Sequence, residues 1–352
     1  MSVLKKDIIF KILKNEKLSN EEITELCWLL NKDQYKERPV TIQEFISSDD
    51  FVHKKWTNIF PIWQETLAEL FPNPFIAPYN EVLLKTAVNS GSTVLVTISI
   101  LYDIYKLGCL KDPCTYYGLT PDTQIIMAIL SAVESTCTVN WIELTTGIEA
   151  CPWFKDKLVD KRGLDRKIPP IIPVEIIPGI FIQTGSKFQH SMGKAIFDVL
   201  LDEHSFGSVN IKETQKSYNE LSSRIKTRFA AWMTNGNTPG HMFLISSPQN
   251  AKDFMQQHIE YVQKTNPNLT KIIQNIATWE ANPRKDSDDK FIVFTGSEHR
   301  EPCIYESETD IPIEEKDNLL YVPMRYYEEF KNDLLVSIMN YGGRTPISKA
   351  LL

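Results

Sequence analysis

Between residues 81 and 296 the chain alternates short apolar runs with helical stretches, and this alternation limits the fold more than any other feature. The runs are EVLLKTAV (81–88), QIIMAILSA (124–132), AIFDVLLDE (195–203), HMFLISS (241–247), KIIQNIATW (271–279) and KFIVFTG (290–296). Helical patterns lie between them at about 93–107, 136–149, 209–233 and 250–264. Strands alternating with helices of that length predict an α/β fold with a mostly parallel sheet covered on both faces. PPIIPVEIIPGIFIQTGS (169–186) departs from the pattern, its four prolines marking an edge hairpin. Residues 1–58 read as helices joined by short loops, with capping-box patterns at Ser19-x-x-Glu22 and Thr41-x-x-Glu44. A further helix is expected over 59–71, with Ile62, Leu67 and Leu70 on one face. The division expected is a helical part over 1–58, a core over 59–300, and a strand, a helix and a loose tail over 301–352.

The first strand runs into KTAVNSGSTVL (85–95), which then enters a helical pattern. Strand, small-residue loop and helix is the layout of a phosphate-binding loop, in which successive N–H groups and the helix N-terminus surround the anion. Against G-x-x-x-x-G-K-[ST], Thr86 holds the first glycine's place and Ser92 the lysine's, while Gly91 and Thr93 match. Ala87, Ser90 and Ser92 are small enough for close wrapping, and Ser92 or Thr93 offers a hydroxyl for Mg²⁺. From these residues alone an ordinary strand-to-helix turn is the better reading. FDVLLDEHSF adds an apolar strand ending in Asp202-Glu203, the Walker B pattern: Asp for the Mg²⁺ shell and Glu for the attacking water. About 110 residues separate it from the loop, room for the intervening strands of an additional-strand ATPase sheet. MFLISSPQN ends a third strand in Ser246-Ser247, where a polar residue can sense a γ-phosphate.

Charge and cysteine usage narrow the class. A formal charge of −7 disfavours a clamp that holds nucleic acid over the whole surface. Two local basic stretches remain, 155–167 and 212–229, each of which also reads as a solvated face. The six cysteines show no metal spacing; Cys109 and Cys114 read as thiols, and the usage suggests a reducing compartment. The six histidines are likewise scattered; His204 reads as a packing or hydrogen-bonding residue and Trp153 as a core anchor. No apolar run approaches the ~20 residues of a membrane span, and the N-terminus reads as a short amphipathic helix.

In combination and order these segments resemble the large terminase subunits of tailed bacteriophages, the motors that package DNA into procapsids. The likeness covers about 40–340. It runs through TIQEFISSDDF (41–51), IFPIWQETLAELFP (59–72) and the strand, loop and helix of 79–119. It continues through CPWF (151–154), VLLDEHSF (199–206), SSRIKTRF (222–229), FLISSPQN (243–250) and LLYVPMRYYEEF.

The resemblance implies a P-loop NTPase of the additional-strand kind, with ATP and Mg²⁺ as cofactors. Thr86, Ala87, Val88, Asn89, Ser90, Gly91, Ser92 and Thr93 would be its phosphate loop. Asp202 and Thr93 would hold the metal, Glu203 would be the general base, and Ser246-Ser247 would couple γ-phosphate loss to movement. Two departures stand out. The loop lysine is absent, and Lys85, one position ahead of the loop, is its proposed substitute. The family's trans-acting arginine before the Walker B strand is also absent, leaving Lys194 there; Arg224 and Arg228, or Arg162 and Arg166, are the alternatives. The implied partners are double-stranded DNA, the portal and procapsid, a small terminase subunit and further copies in a ring. The implied setting is the host cytoplasm, with no membrane. A nuclease domain is not expected within these residues. Two other readings stay open: an assembly module with little or no hydrolysis, and a helicase-like translocase.

Overall fold

The computed structural model describes residues 11, 17–131, 134–164, 169, 172–185, 194–202, 211–229, 237–249, 253–283, 289–305 and 313–348. Seven strands make the main sheet: β1 (Glu81–Lys85), β2 (Ile125–Ser131), β3 (Val174–Ile177), β4 (Ile180–Gly185), β5 (Ala195–Asp202), β6 (Met242–Ser246) and β7 (Thr270–Gln274). Their order is β3-β4-β2-β5-β6-β1-β7, and every neighbouring pair is parallel except β3 with β4. The proline-rich hairpin is at the edge, as its composition requires: proline cannot supply a ladder N–H on a central strand. β1, β2, β5 and β6 are buried along their whole length, which explains why they read as continuous apolar runs.

Helices cover both faces. The labelled ones are α1 (Asn20–Asn31), α2 (Ile42–Ser47), α3 (Pro61–Leu70), α4 (Ser92–Cys109), α5 (Glu134–Ala150), α6 (Ile211–Arg228), α7 (Phe254–Thr265), α8 (Tyr327–Asn332) and α9 (Leu334–Asn340). Successive strand residues point to opposite faces. Val82 and Leu84 join the core formed with α2 to α5, while Leu83 joins a second core with α6 and α7. α4 is the one described helix long and apolar enough to cross a membrane, and 83% of it is buried inside the protein as the central helix of the larger core.

α2 packs on α4 through Phe45 against Tyr102 and Tyr105, and α3 lies against α4 as well. Ser19 caps α1 in a reciprocal box, Glu22 N donating to Ser19 Oγ at 3.2 Å and Ser19 N to Glu22 Oε2 at 2.9 Å. Thr41 accepts from Glu44 N at 3.3 Å at the start of α2. On α3 the inward face is Trp63, Thr66, Leu67 and Leu70, with Ile62 only half-buried. The seven-residue interval from Trp63 to Leu70 places the indole, not Ile62, over the core.

Two expectations need correction. KFIVFTG is a strand, but β8 (Lys290–Phe294) is not part of the main sheet. It is the middle of a separate antiparallel sheet with β9 (Cys303–Tyr305) and β10 (Leu319–Pro323), so a boundary at 300 would cut through that sheet. The end of the chain is not loose up to Ser348. Ile347 N donates to Thr295 O at 2.9 Å, and Gly343, at φ +63°, lies so close to Ile276 O and Ala87 N that a side chain there would clash. In CPWF, Cys151 and Phe154 are fully buried, and Trp153 packs on the core against Tyr105 at a ring distance of 4.8 Å from a partly exposed position, with its Nε1 on Glu37. All six cysteines are free thiols.

Candidate functional site

Residues 86–93 form a tight loop between β1 and α4. Gly91 caps the helix in a left-handed conformation, φ +85°, and Asn89 also has positive φ, 58°. Glycine adopts that region without steric cost, and a Cβ at Gly91 would meet Trp63 Nε1 at 3.0 Å. The loop is held from three sides. Thr86 Oγ1 and Ser90 Oγ share a hydrogen bond of 2.9 Å across its base, and Trp63 Nε1 donates to Ser90 O at 2.6 Å. Ala87 N donates to Ile276 O and Val88 N to Asn340 O, at 3.0 and 2.7 Å, while Thr278 Oγ1 donates to Val88 O at 2.9 Å. The N–H groups in the first turn of α4 have no partner within the helix, and no acidic side chain sits there. Together with the helix dipole, this makes the loop a natural anion cradle.

The strand order brings the other parts to it. β6 lies between β5 and β1, with Asp202 level with Ile245 and Lys85 level with Ser246. Asp202, Ser246 and the start of the loop therefore stand at the carboxyl ends of three adjacent strands, where ligands bind in open parallel sheets. A cleft of about 310 Å³ is lined there by Thr86–Asn89, Ser92, Thr93, Asp202 and Ile245–Ser247. Its other wall is α5, through Ser135, Thr136, Val139 and Asn140. Asn140 Nδ2 donates to Asp202 Oδ2 at 2.6 Å, and both residues are buried. Ser246 Oγ donates to Ser247 O at 3.1 Å.

Sequence reasoning missed Trp63, Asn140, Ser135, Thr136 and the anchoring segments at 276–278 and 340–343. Trp63 was legible from its spacing to Leu67 and Leu70. The others come from distant segments that no local pattern connects to the loop.

Not every expected residue reaches the cleft. Lys85 faces the opposite side of the sheet: its Nζ donates to Gln256 Oε1 at 3.0 Å and lies 3.5 Å from Asp253 Oδ2, the N-cap of α7. Burial pulls the Lys85 amine below its usual pKa, and Asp253 opposes that pull. The alternation of β1 places residues 83 and 85 on the α7 side, so Lys85 does not substitute for the missing loop lysine here. Lys194 immediately precedes β5, roughly 26 Å along the chain from Asp202, where its Nζ donates to Gln183 Oε1 at 2.8 Å and burial lowers its pKa.

Arg224 and Arg228 lie in the second half of α6. The adjoining Phe229 packs on Phe197 near the beginning of β5, so that end of α6 is remote from the cleft. A residue acting on a neighbouring copy need not lie beside its own cleft. Glu203, His204, Arg166 and the Arg162 side chain lie outside the described residues.

The cleft fits a divalent cation with a phosphate ligand in its donor chemistry. Asp202 supplies a carboxylate, Ser92 and Thr93 supply hydroxyls, and Asn140 Oδ1 is a buried oxygen without a hydrogen-bond partner. Among the described lining residues Asp202 is the only charged one.

A second polar cluster lies deeper. Asp103, Asp198 and His241 are fully buried, with His241 Nδ1 2.9 Å from Asp103 Oδ2 and Lys106 Nζ 2.6 Å from Asp103 Oδ1. A donor pair 2.9 Å apart beside an ammonium group is hydrogen-bond geometry, closer than two ligands of one tetrahedral zinc stand.

The family model described as "Uncharacterized protein MJ0330, N-terminal P-loop domain" matches residues 8–306. No curated protein matches the sequence. Among solved structures, the chain is similar to the HK97 bacteriophage large terminase at 12% identity and a TM-score of 0.43, over 82% of this chain and 51% of that one. It thus spans about half the length of that terminase. The large terminase ATPase domain of Thermus phage P74-26 is 12% identical at a TM-score of 0.41, over 80% and 97% of the two chains. The DEAD-box helicase Mss116 bound to ssRNA and UDP-BeF is 11% identical at 0.40, over 66% and 45%. Likenesses of this depth carry nothing about activity.

Proposed function

The chain belongs to the family of the MJ0330 N-terminal P-loop domain, and on that footing we propose that it binds Mg²⁺–ATP in the cleft of loop 86–93 and hydrolyses it as a packaging-motor ATPase of the large-terminase type. The observation that carries this reading is the meeting of the loop, Asp202 and Ser246-Ser247 at the carboxyl ends of neighbouring strands. In this reading Asp202 and the Thr93 hydroxyl hold Mg²⁺, which neutralises phosphate charge, and Glu203 orients the attacking water. Ser246-Ser247 passes γ-phosphate loss to the segments that anchor the loop. The ordered motif resemblance supports double-stranded DNA as the cargo. It also supports a portal or procapsid, a small terminase subunit and further copies in a ring as partners, in a host cytoplasm.

A second reading, a nucleotide-binding assembly module with little or no turnover, is favoured by one specific observation: no lysine or arginine is among the described residues lining the cleft. One lost electrostatic donor costs roughly 2.7–4 kcal/mol in the transition state, a factor of ~10²–10³. Steady-state ATP hydrolysis at high protein concentration with Mg²⁺, beside Glu203→Gln and an equilibrium binding measurement, separates the two. Turnover in the parent that Glu203→Gln abolishes supports the motor. Binding with equal inertness in both proteins supports the assembly module, and no binding at all removes both readings.

A further inference from the structure

Asn140 is the least expected residue of the cleft. It lies on α5, between β2 and the edge hairpin in the chain, and its side chain reaches the last residue of β5. The partner settles which way its amide faces. An ionised carboxylate only accepts hydrogen bonds, so at 2.6 Å from Asp202 Oδ2 the amide must present its nitrogen. The amide oxygen is then turned elsewhere, and it is buried with no hydrogen-bond partner. A buried acceptor left unpaired destabilises the fold, and such atoms in native proteins mark places where an ion, a water or a ligand completes the set.

The charge of the cleft points to the same species. The described lining carries one charge, the Asp202 carboxylate, and Lys85 is committed to Asp253 and Gln256 on the far side of the sheet. A phosphate chain brings further negative charge beside the Asp202 carboxylate, and a divalent cation between them removes that repulsion.

We infer that Asn140 is a positioning residue for that cation: its N–H sets the Asp202 carboxylate, and its Oδ1 offers a second oxygen to the cation or its hydration shell. This rests on the phosphate-loop reading above. Partners that orient a metal-binding carboxylate contribute roughly 10–100-fold to metal affinity, and Asn140 belongs in that range.

The test uses Mn²⁺ and a fluorescent N-methylanthraniloyl ADP as probes, with Mn²⁺ followed by its paramagnetic resonance signal. The parent should bind the nucleotide with Mn²⁺ and lose at least tenfold in affinity when EDTA is added. Asn140→Leu should lower Mn²⁺ affinity in the presence of nucleotide by at least about tenfold. Asn140→Asp covers the case in which the leucine variant fails to fold. It sets two carboxylates at the position of a 2.6 Å hydrogen bond, so Mn²⁺ alone should raise its Tm more than it raises the parent's. Equal nucleotide affinity with and without metal in the parent overturns the inference. So does parent-like Mn²⁺ binding by Asn140→Leu, or an equal Tm shift in Asn140→Asp. If the parent binds no nucleotide under either condition, the phosphate-loop reading falls as well, which separates the two failures.

Discussion

Asp198 and Asp202 stand four residues apart on β5, both buried and both beside side chains from the helical layer that holds α4 and α5, yet the protein treats them differently. Asp202 ends the strand, takes an amide N–H from Asn140 and opens onto a polar cleft. Asp198 lies inside the core, where burial, reinforced by Asp103, holds its carboxyl well above the usual range. It accepts the backbone N–H of His241 at 2.8 Å, which opposes the shift without cancelling it. Its neighbour Asp103 is shifted the other way: burial pushes Asp103 up, but Lys106 and His241 outweigh that and hold it below the usual range. One carboxylate is placed where charge can meet an incoming cation, and the other where burial and a neighbouring carboxylate outweigh the groups that favour its charge. The comparison separates a site for chemistry from a polar tie that fastens α4 to the strands beneath it.

The comparison can be broken by exchanging the roles. Asp202→Asn should cost the larger functional effect, ~10²-fold in Mn²⁺-dependent nucleotide affinity, with a melting temperature close to the parent's. An equal loss in both quantities would make Asp202 a structural residue like Asp198. Asp103→Ala should show the reverse pattern. Removing one partner of a buried charged set costs about 3–5 kcal/mol, because Lys106 loses its counter-charge and His241 its hydrogen-bond partner, and chemical denaturation would read it. An unchanged denaturation midpoint would mean that the cluster ties nothing.

Asp198→Asn should be the mildest change at neutral pH, within about 1 kcal/mol, and its signature is the pH profile. A carboxyl whose folded pKa lies above its unfolded value stabilises the fold fully below the unfolded value, about 3.9, and that contribution is lost as pH rises through the folded value. The asparagine variant should therefore lose less stability than the parent on going from acid to alkaline pH. Asp103 works in the opposite sense: its contribution is present above about 3.9 and lost as pH falls through its lower folded value. A parent-like slope in Asp198→Asn would place the titration on another group.

Much of this was legible before any coordinates. The apolar runs, their alternation with helices and the proline-rich edge hairpin reappear where the residue pattern puts them, because side-chain period and proline's missing N–H are local properties. The loop at 86–93, Asp202 and Ser246-Ser247 were each visible as strand ends. KFIVFTG was recognised as a strand but not assigned to its own sheet, since an apolar run of five residues carries no record of its pairing partner. Lys85 was expected at the loop because it precedes it in sequence. The alternation along β1 turned it toward Asp253, and counting the face from Leu83 would have found this.

Local chemistry in the sequence therefore determined the element types, the central buried strands and the glycine that closes the loop at positive φ, all of which depend on sterics and burial within a few residues. Only the tertiary structure decided which elements became neighbours. It put β6 between the loop strand and the Asp202 strand, brought Asn140 from α5 to that carboxylate, and bound Val88 to Asn340 across 252 residues. It also shifted the Asp198 carboxyl up and the Asp103 carboxyl down. Such outcomes depend on the dielectric and the partners that folding assembles around each group, and neither is written at the residue itself.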